Sequence, residues 1–513
     1  MNDSRTKKSI KNIVFTLGSY FAVLLMQMIN RTVFVKFLPV DYLGINGLFS
    51  NILSLLSLTE LGIGTAITYS LYKPLRKNDE NEILGIMQLY KFLYCVIGII
   101  VFAIGLVLLP FLGWFIESIP DFTTWNLIRL YYMVYVVNTS VSYFATYKRT
   151  LLICDQKQYI TSVISAICKM LLNVGQIFLI VLTKNYLLYI VAMIFSTLIE
   201  NILLTYIANR EYPYLRKKEK YRVSEDKVRE IKKNVYAMIF HRIGDVVINA
   251  SDNIIITKFA SLLYTGLYSN YLVVISAVRT VLNQVFSAVT ASVGNLIAGN
   301  SKEKDYDVFK KMLFINFILY SYCSLGLTIL LNDFVKIWLG KDYLLDEITI
   351  TVICYSFFLT GMLKTVRVFR DAAGIFYYDR YKPIAESILN ILFSVPLTIK
   401  YQIAGALMGT ILSCLLVSFW VEAFVLFKYH FSFSVKKYYI EQFKYWLMYS
   451  FILAIGEITT HYISIVGMIG LIIKGIIITL EFVIIIFLFF YKSTECNYLL
   501  QLFRNVRRKN AKR

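Results

Sequence analysis

Arg31, Arg242 and Arg279, with Lys169 and Asn283, stand in stretches of sequence that are otherwise almost wholly apolar. A guanidinium is permanently charged and grips phosphate through paired hydrogen bonds, so this set could hold an anionic head. Glu60, Asp245 and Asp252 share those stretches and could bind a coupling cation or proton, or only balance the arginines. A second basic group follows two apolar segments: Lys148 and Arg149 in "YKRTLLICDQKQY", and Arg367 and Arg370 in "RVFRDAAGIFYYDRYKP". These clusters read as ordinary basic loops, and their position also suits a first docking of an anionic lipid head at the mouth of each half. The 7 cysteines show no CxxC, the 3 histidines are far apart, and no phosphate-loop, zincin or nucleophile-elbow sequence occurs. No metal, disulfide, cofactor or enzymatic chemistry is expected.

The elements that must carry these charges follow from composition. The 513 residues are 58% hydrophobic and only 17% charged, with mean hydropathy +0.62. A membrane helix needs roughly 20 apolar residues, and fourteen such segments can be marked, near 13–34, 43–70, 89–113, 125–147, 159–183, 186–208, 234–257, 264–292, 311–335, 347–370, 383–400, 404–427, 443–462 and 465–491. The runs are too long for a membrane barrel, whose strands alternate over about ten residues. The expected fold class is an all-α integral membrane protein. No cleavable signal is evident. With the N-terminus inside, about 41 of the 53 Lys and Arg fall in inner tails and loops and about seven in outer ones, which places both termini in the cytoplasm. The net charge of +21 therefore marks loops against a membrane and not a nucleic-acid partner.

The chain repeats. "KFLPVDYLG" at 36–44 returns as "KFASLLYTG" at 258–266, and an ungapped offset of 222 gives ten identities over the 60 positions from 11 to 70, charged, polar and glycine positions among them. Two six-helix lobes in the same orientation follow. The expected parts are an N-terminal lobe at 1–208, a basic linker at 209–233, a second lobe at 234–427, two extra helices at 428–491 and a basic tail at 492–513.

Polar residues fall on one face of four segments. Segment 1 carries Asn12, Thr16, Ser19, Tyr20, Gln27, Asn30 and Arg31, and segment 2 carries Asn46, Ser50, Ser54, Ser57, Glu60, Gly64 and Thr68. Segment 7 carries Asn234, His241, Arg242, Asp245, Asn249 and Asp252, and segment 8 carries Ser276, Arg279, Asn283, Ser287, Thr290 and Gly294. Each stripe spans about 120° at 100° per residue. Ser, Thr and Asn can serve as hydrogen-bonding glue between helices, and Arg242 with Asp245 could be a buried ion pair. Charges at mid-bilayer cost about 2.5–3.5 kcal/mol, however, and need partners or water. A hydrated cavity lined by segments 1, 2, 7 and 8 is the functional reading. Lys169 with Ser162, Ser165, Asn173 and Gln176 forms a further stripe on segment 5, and Glu386, Asn390 and Ser394 another on segment 11.

"YLGINGLFSNILSLLSLTELGIGTAITYSLYKPL", "CDQKQYITS" and "FRDAAGIFYYDRYKPIAESILNILFS" resemble the bacterial polysaccharide-repeat-unit flippases, within the superfamily of multidrug, oligosaccharidyl-lipid and polysaccharide exporters. The resemblance covers essentially the full chain. It implies alternating-access movement of a polyprenyl-diphosphate-linked oligosaccharide across the bacterial cytoplasmic membrane for capsule, O-antigen or similar polymer. It further implies membrane lipids, a polysaccharide polymerase and other assembly proteins as partners, with Arg31, Arg242 and Arg279 best placed to meet the diphosphate. A drug exporter of the same superfamily would share the fold and is the alternative. A membrane enzyme would need large outer loops or a His/Asp cluster, and neither is seen.

Overall fold

The computed structural model describes residues 2–56, 64, 67, 70–71, 74–75, 77–116, 119–120, 122–155, 157–216, 221, 250–297, 301–375, 378–463, 465, 467–498 and 501. These residues are helical with short connections, and no strand occurs among them. In chain order the helices are α1 (Asn2–Phe37), α2 (Asp41–Leu56), α3 (Glu80–Leu108), α4 (Trp125–Cys154), α5 (Gln158–Thr183) and α6 (Tyr186–Glu211). Then come α7 (250–259), α8 (Leu262–Ile297), α9 (Lys302–Trp338) and α10 (Glu347–Ala373). Last are α11 (382–401), α12 (403–431), α13 (Lys436–His461) and α14 (Gly467–Phe490). The protein is a multi-pass, all-helical membrane protein: among the described residues seven stretches are long and apolar enough to span a bilayer by the strictest count, with α11 and α12 forming one of them.

Local chemistry sets where the spans begin. The first backbone N–H groups of a helix lack partners within it, and a short polar side chain at the N-cap accepts from one of them. Asp79 does this for α3 through Glu82 N at 3.0 Å, Asn185 for α6 through Leu187 N at 2.8 Å, and Asp346 for α10 through Thr349 N at 2.9 Å. Gln402, with φ of 52°, breaks the path between α11 and α12. Inside α10 the turn at Leu363 frees carbonyls, and the buried Asn316 of α9 donates to Gly361 O and Met362 O, both at 3.1 Å. That repair lets α10 bend and carry Arg367 and Arg370 beyond it.

The chain divides into two compact units, residues 1–266 and 267–513. In the first, Tyr42 stacks on Tyr186 at 4.3 Å within a core that includes Phe34, Phe49, Tyr132 and Tyr135. In the second, the two extra helices are part of the packing: Tyr445 of α13 stacks on Phe317 of α9 at 4.5 Å, Tyr449 stacks on Phe358 at 4.0 Å, and Lys474 of α14 pairs with Asp333 at 2.7 Å.

The repeated motif has a structural counterpart, and both of its copies fall inside the first unit. A Cβ on Gly44 would lie 2.1 Å from Leu262 O, and one on Gly266 would lie 2.6 Å from Val40 O. Residues 40 and 262, like 44 and 266, are 222 apart, so each glycine admits the backbone of the other copy in a reciprocal contact. Gly44→Ala and Gly266→Ala are each expected to cost about 1–3 kcal/mol, the usual range for overpacking. Gly18→Ala, where nothing lies within 4 Å, should be neutral or stabilising, as thermal unfolding of the purified protein would show.

Candidate functional site

Among the described residues, polar side chains of the α2 and α8 stripes turn away from the core of their own units. On α2, Ser50 and Ser54 are exposed while Leu48, Phe49, Ile52 and Leu53 are buried; on α8, Ser276, Arg279 and Asn283 are exposed while Ile275, Leu282 and Phe286 are buried. Ser50 donates to Asn46 Oδ1 of its own helix at 3.3 Å. Tyr320 lies within electrostatic reach of both Arg279 and Arg367. Asp252 on α7 is half-buried. Glu60, Arg242 and Asp245 lie outside the described residues.

The stripes of α1 and α5 behave differently, because they face each other. Thr16 and Ser162 share a hydrogen bond of 3.1 Å. Near the other end of α1 the buried Asn30 donates to Asn173 Oδ1 at 2.8 Å and Gln176 Oε1 at 2.9 Å, and Gln176 donates onward to Tyr189 O at 3.0 Å. Asn30 Oδ1 is buried and accepts no hydrogen bond, which leaves one strong acceptor in a cluster of neutral oxygens. Arg31 follows on α1, half-buried and within electrostatic reach of Tyr189. Lys169 is exposed on α5, one turn before Asn173, whose amide donates to the Lys169 carbonyl at 2.7 Å. The structure thus brings Arg31 and Lys169 to the two helices of one polar seam.

Lys148, Arg149, Arg367 and Arg370 are drawn into their own units. Arg149 pairs with Glu200 of α6 and donates to Ser165 of α5 at 3.2 Å. Arg367 Nε donates to both carboxylate oxygens of Glu422 at 3.1 and 3.0 Å. Arg370 donates to Asp379 at 2.6 Å and lies 3.8 Å from Glu422. Lys382 reaches Glu422 at 2.6 Å and Glu386 at 3.2 Å. Glu422 is 0% exposed, and three cations from α10 and α11 surround it. Sequence reasoning missed Glu200 and Glu422, yet they are 222 residues apart; the repeat offset carried past residue 70 would have found them. Outside the spans, the hydroxyl of Tyr212 donates to Asp155 at 2.7 Å, and burial together with that carboxylate holds the phenol far above its usual pKa. Burial lowers the nearby Lys157 ammonium, but Glu211 and Asp155 outweigh it and its pKa is raised.

A cavity of about 750 Å³ opens between α9, α10, α13 and α14, lined by Asn332, Asp333, Glu347, Glu457, His461 and Lys474 among others. It contains none of the residues singled out from the sequence.

Compared by sequence, the chain matches no family model and no curated protein. Compared by structure, it is similar to a lipid II flippase, MurJ, in an inward closed conformation, with 13% identity, 93% of this chain and 99% of that one covered, and a TM-score of 0.65. It is also similar to an inward-facing multidrug resistance MATE family transporter of the MOP superfamily, with 11% identity, 83% and 99% covered, and a TM-score of 0.63. The Vibrio cholerae MATE transporter VcmN in its bent form gives 11% identity, 83% and 97% covered, and a TM-score of 0.54. At these identities the likeness establishes the fold alone, a two-lobed all-helical architecture.

The burial of the two carboxylates predicts unequal mutants. Removing one partner of a buried ion pair costs about 3–5 kcal/mol because uncompensated charge remains, whereas exposed pairs contribute about 0–1 kcal/mol. Glu422→Gln should therefore lower the unfolding temperature strongly. Glu200→Gln should lower it only slightly, since the Arg149 side chain is 39% exposed and can turn to water.

Proposed function

We propose that the chain is a flippase of the bacterial cytoplasmic membrane that carries a polyprenyl-diphosphate-linked oligosaccharide to the outer face for surface-polysaccharide assembly. The observation that carries this reading is the extent of the fold likeness: 93% of the chain follows a lipid II flippase, against 83% for the two MATE transporters. The exposed, arginine-bearing stripe of α8 supports it, and on α2 Ser54, the repeat counterpart of Ser276, is exposed as well. A diphosphate with several sugars cannot cross about 30 Å of hydrocarbon unaided, while its polyprenyl tail is at home in lipid.

In this reading both termini are cytoplasmic, and helices 1, 2, 7 and 8 line a hydrated cavity that opens to each side in turn. Arg31, Arg242 and Arg279 meet the diphosphate, with Lys169 and Asn283 contributing at the wall. Glu60, Asp245 and Asp252 balance these charges or hold a coupling cation or proton, and a polymerase consumes the product. Multidrug export is the second reading, favoured by the MATE likeness at a TM-score of 0.63.

Deletion of the gene, followed by labelling of polyprenyl-linked intermediates on each membrane face, separates the two. The flippase reading expects a complete lipid-linked repeat unit to accumulate inside while surface polymer is lost. Normal polymer with increased drug sensitivity would replace it with the second reading.

A further inference from the structure

We infer that Lys91 and Lys148 form a phosphate-binding site in the first unit, where α3, α4 and α6 meet, and that the second unit has no counterpart to it. Lys148, near the end of α4, is 9% exposed. Its Nζ donates to Asn209 Oδ1 at 3.0 Å and lies 5.6 Å from the ring of Tyr147. Both partners are neutral. Beside it stands Lys91 of α3, whose neighbour Tyr90 shares a hydrogen bond of 3.1 Å with Thr150, two residues on from Lys148; Lys91 repels Lys148 and is itself exposed.

The repeat shows how unusual this is. The residue 222 positions after Lys148 is Arg370, which pairs with Asp371 at 3.0 Å and Asp379 at 2.6 Å. The first-lobe positions of those two aspartates are Arg149 and Lys157, so at both places the partner's charge is reversed. Nearby carboxylates are already claimed: Glu200 by Arg149, and Asp155 and Glu211 by Lys157 at 3.1 and 2.6 Å. The position matching Lys91 is Leu313, so the second cation is also particular to this lobe.

A buried ammonium without a counter-ion is costly, and two ammonium groups that repel each other are both relieved by one anion between them. Lysine recognises phosphate as a point charge with three donors. The ligand class is therefore a phosphate or diphosphate ester, which two sources can supply: the diphosphate of a polyprenyl-linked substrate or the head of an anionic phospholipid. The site deepens the flippase reading by giving the substrate head a first contact outside the α1, α2, α7 and α8 stripes, while its geometry stands without that reading.

The test uses the full-length protein in phosphatidylcholine nanodiscs titrated with farnesyl diphosphate, with farnesol as blank. Asn209→Asp sets a carboxylate 3.0 Å from Lys148 Nζ without changing shape. It should weaken farnesyl diphosphate binding about tenfold, the worth of one charge-assisted hydrogen bond, while leaving the unfolding temperature equal or higher. Lys148→Gln and Lys91→Gln should weaken binding likewise, and Lys148→Arg should retain it.

Repeating the titration in nanodiscs containing phosphatidylglycerol tells the sources apart. Displacement of farnesyl diphosphate assigns the site to the lipid head, and no displacement assigns it to the diphosphate. Unchanged affinity in Asn209→Asp and Lys148→Gln overturns the site, even if Lys148→Gln unfolds earlier. Binding is read on the purified protein, so failure of the deletion experiment leaves it standing, and the converse also holds.

Discussion

Glu422 has no accessible surface, and in a chain that spans a bilayer its charge can persist only among cations. Arg367, Arg370 and Lys382 supply them, and each comes from a segment that must be held at a set angle for its charge to arrive. The bend of α10 after Leu363, stitched by Asn316, brings the two arginines to α12. The first turn of α11 brings Lys382, which also reaches Glu386 one turn on, and Ser418 of α12 donates to that carboxylate. One buried charge thus fixes the relation of three helices, and a helix-end cluster that reads as a basic loop becomes an internal clamp.

The first unit repeats this device and then departs from it. Glu200 anchors Arg149 as Glu422 anchors Arg367, but the positions of the two aspartates that neutralise Arg370 are basic in the first lobe. Two lobes of one fold therefore hold their helix ends by related ion pairs with different residual charge. In the proposed flippase reading such asymmetry suits an anionic head, since two fully neutralised helix-end clusters would have nothing with which to receive it. The α2 and α8 stripes fit the same logic. Their polar side chains are exposed on helices whose other faces are packed in the core, an arrangement that interhelical bonding within a unit does not require.

Much of this is legible in the amino-acid sequence. Unbroken apolar runs locate the helices, because in a membrane every backbone group must be satisfied within its own helix, but the helices start earlier than the runs, at Glu80 and Lys302 where the runs begin near 89 and 311, since their first turns are polar. The stripe of α5 is visible too, but its partner is not. Periodicity shows that Asn173 and Gln176 share a face and cannot show that Asn30 of α1 closes onto them. Glu200 is hidden for another reason: a single carboxylate in an apolar run carries no motif, and its meaning comes from Arg149, which lies 51 residues earlier in sequence. Arg367 and Arg370 look like loop charges because their counter-ions stand on α12 and beyond the end of α10, which charge counting along the chain does not connect.

Transport of a lipid-linked head can be watched as flipping in liposomes that contain only the purified protein. The protein would be reconstituted with a fluorescent polyprenyl-diphosphate oligosaccharide, and the fraction exposed on the outer face read by a membrane-impermeant quencher over time. We predict protein-dependent loss of the inner-leaflet pool for the diphosphate-linked lipid and none for the same polyprenol without its charged head. Equal rates with and without the protein, alongside uptake of a cationic drug into the same liposomes, would contradict it.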